Sequence, residues 1–120
     1  MSRDHRKLRV FDIADALVID IYPSTKDFPP EERYGLQSQI RRAAVSAVTN
    51  IVEGSARRTQ GEYLHFLNVA AASVTELRYL LDLSKRLGFL QAQQAMEFDP
   101  RCGALIGGLV QLINSLSHEP

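Results

Sequence analysis

Apolar residues recur along most of the chain at spacings of three and four positions, which is the period of one face of an α-helix. Proline and glycine interrupt this pattern at Pro23, Pro29, Pro30, Gly54, Gly61, Gly88 and Pro100. Between the interruptions lie four apolar-periodic segments joined by short connections. The pattern predicts an all-α protein in which residues 1–120 form a single domain, an antiparallel up-and-down four-helix bundle.

The first two segments carry clear apolar faces and boundary signals. The first face consists of Leu8, Phe11, Ala14, Leu17, Val18 and Ile21, and the second of Leu36, Ile40, Ala43, Ala47, Val48 and Ile51. Because Pro23 cannot donate to the helical hydrogen-bond ladder, we expect the first helix to end or kink near Ile21. Proline and acidic residues suit the first turn of a helix, so the second helix is predicted to begin at Pro30-Glu31-Glu32 and to end near Gly54 and Ser55.

The third segment, from about Thr59 to Leu87, has the strongest pattern. Its apolar seam is an unbroken heptad repeat of Tyr63, Leu67, Ala70, Val74, Leu77, Leu81 and Ser84. Thr59 and Glu62 have the spacing of an N-terminal capping box, and Gly88 is a C-terminal stop signal. Two further apolar lines consist of Phe66, Leu80 and Leu87, and of Val69, Leu83 and Leu90. This wide apolar arc predicts contacts both within the bundle and with a neighbouring subunit.

The fourth segment, from about Gln91 to Leu116, contains a break at Asp99-Pro100. Two interpretations are open. A short helix precedes a main helix that has Pro100 in its first turn, or one helix kinks at this point. The propensity for helix falls by about 1 kcal/mol at each glycine, here Gly103, Gly107 and Gly108.

The charge is balanced overall but distributed in blocks. The net charge is zero, so no overall basic field indicates nucleic-acid binding. Residues 1–9 carry +3, residues 10–32 carry −5 and residues 33–58 carry +4. One interpretation is attraction between neighbouring helices or subunits, and the other is a local basic patch that binds phosphate.

Several features indicate a cytoplasmic protein. The charged N-terminus lacks the apolar run of a signal peptide, and we interpret residues 1–8 as a flexible basic tail. No segment is apolar over the roughly 18 residues that a membrane span needs. The only cysteine, Cys102, suits a reducing compartment.

Arginines of the second segment are the candidate nucleic-acid-binding residues: Arg41, Arg42, Arg57 and Arg58. A guanidinium group suits phosphate, but it also suits carboxylates of the first helix or of a neighbouring subunit. Asn50 and Glu53 interrupt the apolar face of the same segment. We interpret these two residues as a structural polar network, because a catalytic carboxylate requires a second acid–base partner.

No pattern indicates an enzyme, a metal or a cofactor. His5 and His118 lie near the ends of the chain, and His65 has Glu62 as its only ligand-type neighbour at helical spacing. Di-iron bundles require Glu-x-x-His motifs on two helices, which the sequence does not provide. Cys102 beside Arg101 is interpreted as a packing residue with an inert thiol. A phosphate loop is excluded because Gly103, Gly107 and Gly108 are not followed by Lys-Ser or Lys-Thr.

The central part of the chain resembles a known family. The resemblance rests on Phe28 to Leu36, Gln39 to Ser46, Asn50 to Gly54, Glu62-Tyr63, Phe66-Leu67, Glu76-Leu77 and Leu87 to Leu90. It extends over residues 8 to 90 and points to the four helix bundle proteins, also called the 23S rRNA intervening-sequence protein family. The chain departs from that family at Pro23, in its glycine-rich last helix and in its neutral charge.

The resemblance implies a small four-helix bundle that assembles as a homopentameric ring and has a link to nucleic acid. Some relatives are encoded in insertions of ribosomal RNA genes, and a related branch assists reverse transcriptases. Our leading hypothesis is therefore a non-enzymatic oligomeric scaffold that binds RNA or DNA weakly. The alternatives are an adaptor for a protein partner without nucleic-acid contact and, third, an enzyme.

Overall fold

The structure, a computed structural model, describes residues 3–117 and contains four long helices. They are α1 (Arg9–Ser24), α2 (Leu36–Ser55), α3 (Gln60–Arg86) and α4 (Ala92–Ser117). Two short 3₁₀ helices, His5–Lys7 and Pro30–Glu32, precede α1 and α2. This part of the chain contains no strand, which confirms the predicted all-α class and the four-helix bundle.

Neighbouring helices run in opposite directions. Between α2 and α3, Gly54 lies against Phe66 whereas Ser46 lies 2.9 Å from Ser73, measured between the hydroxyl oxygens. The same reversal relates α3 to α4 through Gln60–Leu116 and Arg78–Asp99, and α4 to α1 through Arg101–Asp20 and Gly108–Val10. The result is an elongated bundle of 49 × 23 × 19 Å in which α1 and α3 each contact both α2 and α4.

The heptad seam of α3 is buried along its whole length. None of its seven residues is more than 3% exposed, which confirms the strongest sequence pattern. The two flanking apolar lines are covered unevenly. Leu80 and Leu90 are buried, while Phe66, Val69 and Leu83 are half-buried and Leu87 is 53% exposed.

Both ends of α3 form as the sequence predicts. The Thr59 hydroxyl accepts a hydrogen bond of 3.1 Å from the Glu62 amide, which satisfies an amide that has no partner inside the helix. At the other end Gly88 has φ of +81°. The Gly88 amide donates to the Lys85 carbonyl at 3.0 Å and the Phe89 amide to the Ser84 carbonyl at 2.9 Å, the two bonds of a Schellman motif.

The predicted boundaries of α1 and α2 need correction. α1 continues through Pro23 to Ser24, because a proline in the last turn removes only one hydrogen bond from the ladder. α2 begins at Leu36 rather than at Pro30. Gly35 leaves the helical conformation, with φ of −102° and ψ of −116°, and Glu32 Oε1 accepts the Leu36 amide at 3.0 Å.

The fourth segment is a single helix rather than two. α4 runs from Ala92 to Ser117 with Pro100 inside it. Pro100 cannot donate to the Met96 carbonyl one turn earlier. Both residues are exposed, so water can hydrate that carbonyl.

A close approach between α2 and α3 at Gly54 generates a prediction. A Cβ atom at this position would lie 2.9 Å from the Phe66 Cβ and 3.2 Å from the Tyr63 Cδ1. We expect Gly54→Ala to lower the free energy of unfolding by about 1–3 kcal/mol in urea denaturation, because neither neighbour can move freely.

Gly107→Ala is the matched control, since a Cβ there meets nothing within 4 Å and the position is exposed within α4. It should raise stability by up to about 1 kcal/mol. Equal effects of the two substitutions would contradict the close approach.

Candidate nucleic-acid interface

The four candidate arginines lie at opposite ends of the bundle. Arg41 and Arg42 belong to the second turn of α2, whereas Arg57 and Arg58 follow its last residue, Ser55. The rise along a helix separates the two pairs by about 24 Å. One subunit therefore does not bring the four side chains into a single patch.

Arg41 is committed to holding the end of α1. Its Nε donates to the buried Thr25 hydroxyl at 2.9 Å, and its Nη2 donates to the Tyr22 carbonyl at 3.0 Å. Its guanidinium carbon also lies 4.6 Å from the centre of the Tyr22 ring. A cation at the C-terminus of a helix is favourable, so Arg41 caps α1 through a carbonyl and a hydroxyl rather than through a carboxylate.

Arg42 faces a polar groove between α2 and α3. The groove is also lined by Gln39, Ser46, Ser73 and Glu76. Arg42 is exposed and forms no ion pair with any residue from 3 to 117. It is therefore available to an external anion, although Glu76 on the same groove weakens the local positive field.

The N-terminal segment joins Arg57 and Arg58 at the other end. The Arg3 amide donates to the Ser55 carbonyl at 3.0 Å, and Arg3 Nη1 donates to the Arg57 carbonyl at 3.3 Å. The Arg3 guanidinium stacks on the Tyr63 ring at 4.2 Å. Sequence reasoning did not identify Arg3 as a site residue, although the +3 charge of residues 1–9 was a signal.

Arg57 is held in a similar way to Arg3. Its guanidinium lies 4.6 Å from the centre of the Phe66 ring and 3.7 Å from a carboxylate oxygen of Glu53. Both members of this ion pair are well exposed, so the pair contributes little to stability. Arg58 is exposed and forms no ion pair within the described chain.

We define the basic end as residues 3–9 together with residues 53–62. It contains six cations, Arg3, Arg6, Lys7, Arg9, Arg57 and Arg58, against three carboxylates, Asp4, Glu53 and Glu62. Asp4 pairs with Arg6 at 3.0 Å, and hydrogen bonds from Arg6 hold the pKa of Asp4 below its usual value. The net charge of +3 at this end gives the neutral chain a local positive field.

The flexibility expected of residues 1–8 stays a prediction. Within this segment, Arg3 contacts the end of α2, and His5–Lys7 form a 3₁₀ helix capped by the Asp4 carboxylate. Residues 1 and 2 lie outside the described part of the chain.

Asn50 and Glu53 take part in different interactions. Asn50 Nδ2 donates to the carbonyl and hydroxyl oxygens of Ser46 at 2.7 and 3.1 Å, and the Ser46 hydroxyl lies 2.9 Å from that of Ser73 on α3. Glu53 points instead to Arg57. The polar connection between α2 and α3 therefore passes through two serines that the sequence pattern did not single out.

Other reactive groups do not converge. Cys102 is fully buried, and burial raises the pKa of its thiol to about 11, so the nucleophilic thiolate is scarce at neutral pH. Within residues 3–117 no three His, Cys, Asp or Glu side chains are placed to hold a metal ion, and His118 lies outside this range. No helix of the described chain is long and apolar enough to cross a membrane.

Comparisons with known proteins agree with the fold. The sequence profile of the 23S rRNA-intervening sequence protein family matches residues 6–111. A protein of unknown function from Bacteroides thetaiotaomicron, assigned to the S23 ribosomal protein family, has a similar crystal structure with a TM-score of 0.80 and 22% sequence identity. The match covers 88% of this chain and 95% of that one. No curated protein matches the sequence.

The different surroundings of Arg41 and Arg42 generate a prediction. Arg41→Gln should lower the free energy of unfolding by about 1–3 kcal/mol, because two hydrogen bonds from a charged donor are lost. Arg42→Gln, its neighbour on the same helix, should change stability by less than about 0.5 kcal/mol. Urea denaturation at one protein concentration measures both, and a larger effect at Arg42 would refute the capping role of Arg41.

Proposed function

The chain belongs to the 23S rRNA-intervening sequence protein family, and on this premise we propose that it is a non-enzymatic oligomeric scaffold that binds nucleic acid weakly. The phosphate contacts come mainly from the basic end, through Arg3, Arg57 and Arg58. Arg42 adds a second point of contact, and Arg41 serves the fold. We place the protein in the cytoplasm, as the single buried thiol suggests.

The observation that carries this proposal is the stacking of two guanidinium groups at one end. Arg3 lies on Tyr63 and Arg57 lies on Phe66, so both side chains have already lost much of their rotational freedom. A stacked guanidinium keeps N–H groups at its edges, which suit phosphate oxygens. The small number of cations fits weak, salt-sensitive binding.

The oligomeric part of the proposal is supported by incompletely covered apolar residues of α3. Phe66, Val69 and Leu83 are half-buried and Leu87 is exposed in the single chain. Together with the family resemblance, this favours a homopentameric ring. Such a ring would repeat the basic end in every subunit, and linked weak contacts bind a long polyanion more tightly than one contact does.

A protein-partner adaptor is the second candidate function. Six of the seven large apolar residues that are exposed belong to residues 19–34 or 79–96, namely Ile19, Tyr22, Tyr34, Tyr79, Leu87 and Met96. These segments lie towards the end of the bundle opposite the basic end. Partners retained in a pull-down after nuclease treatment would favour the adaptor over the nucleic-acid scaffold.

Salt-dependent binding to single-stranded RNA tests the proposal. We expect measurable binding at about 50 mM salt, and Arg57→Gln/Arg58→Gln should make the plot of log K against log salt shallower by about 1.4–1.8, the value for two lost phosphate contacts. The matched control is Lys85→Gln/Arg86→Gln, which removes two adjacent cations from the last turn of α3. The control should leave the slope unchanged.

Two results would overturn the proposal. No binding at low salt removes the nucleic-acid function, and an equal loss in the control shows that only total charge matters. Light scattering of the same sample at micromolar concentration tests the assembly, where the mass of one chain, 13.4 kDa, would refute the oligomer.

A further inference from the structure

A groove that the sequence did not indicate lies beside the connection between α1 and α2. Its volume is about 480 Å³, within the range of small-molecule sites. Three cations line it, Lys26, Arg33 and Arg41, together with the amide of Gln37. Phe28, Pro29 and Pro30 form an apolar wall, and no carboxylate is among the lining residues.

One side of the groove is fixed by the turn at Thr25. Gln37 Nε2 donates to the Thr25 carbonyl at 2.8 Å, and Arg41 Nε donates to the Thr25 hydroxyl at 2.9 Å. Of the five N–H groups of Arg41, those that bond Thr25 and Tyr22 are occupied, and three remain for a ligand. Gln37 keeps its second amide N–H and its carbonyl oxygen.

The other two cations are free to meet an anion. Lys26 and Arg33 are exposed and form no ion pair with residues 3–117. The acidic residues of the same connection do not compensate them inside the groove. The Glu32 carboxylate is engaged by the Leu36 amide at 3.0 Å, and Asp27 and Glu31 do not line the groove.

From this arrangement we infer that the groove binds the phosphomonoester of a nucleotide. A phosphomonoester carries close to two negative charges at neutral pH and offers three acceptor oxygens, which matches three converging cations better than a phosphodiester with one charge does. The Phe28–Pro30 wall then contacts the apolar face of the attached nucleoside. The ligand is either a free nucleotide or the phosphorylated end of a strand.

The inference goes beyond the proposed scaffold function. The groove lies at the end of the bundle opposite Arg57 and Arg58, and a free nucleotide has no need of the basic end. Loss of binding at one site therefore leaves the other measurable, so the two proposals fail separately.

Equilibrium dialysis at about 50 mM salt tests the groove with a nucleoside 5′-monophosphate and with inorganic phosphate. We expect the nucleotide to bind with a millimolar or lower Kd and more tightly than inorganic phosphate, because only the nucleotide reaches the apolar wall. Lys26→Gln/Arg33→Gln should weaken binding by about tenfold or more. The matched control, Lys7→Gln/Arg9→Gln, removes the same two residue types from the basic end and should change the affinity by less than about twofold.

Two oligonucleotide arms distinguish the sources of the phosphate. Tighter binding of a 5′-phosphorylated strand than of the same strand without phosphate assigns the groove to strand ends, provided that Lys26→Gln/Arg33→Gln removes the difference. Binding of the mononucleotide alone assigns it to free nucleotides. Absence of binding to both, equal affinity for inorganic phosphate, or equal loss in the control would overturn the inference. Circular dichroism of each variant confirms that it is folded.

Discussion

Burial of one continuous face of α3 holds the bundle together. The seam from Tyr63 to Ser84 is almost fully removed from water and lies against both α2 and α4. α1 does not contact α3 and is held by α2 and α4 instead. Because the seam repeats every seven residues, it fixes which face of α3 is covered, and the other helices must then pack around that face. Close approach at Gly54 and the caps at both ends of α3 set its register and length.

This packing sorts the charged side chains towards the ends of the molecule. The interior accepts few polar groups, such as Thr25 and Ser55, so the arginines of α2 can serve only at its ends or on its surface. At one end Arg41 closes α1 and borders the phosphate groove, and at the other Arg3 and Arg57 stack on aromatic rings of α3. A neutral chain thus presents two separate positive surfaces without a basic overall composition.

Sequence reasoning succeeded where the signal is local or periodic. The Thr59 cap, the Gly88 stop and the α3 seam depend on residues within one or two turns of each other, so they could be predicted. The start of α2 could not, because the carboxylate of Glu32 and the backbone of Gly35 override the preference of Pro30 for a first turn. The contacts of Arg3 with Ser55 and of Arg41 with Thr25 join distant parts of the chain, which charge patterns alone do not reveal.

Hydrogen–deuterium exchange of the backbone amides tests the central role of α3 most directly. The amides of the seam, from Tyr63 to Ser84, should exchange only through global unfolding and so be the slowest in the protein. α1 should exchange faster through local opening, since a groove of about 490 Å³ lies between it and α4 beside Ile13 and Leu112. Exchange of the α3 seam at the rate of α1, or faster, would contradict the account.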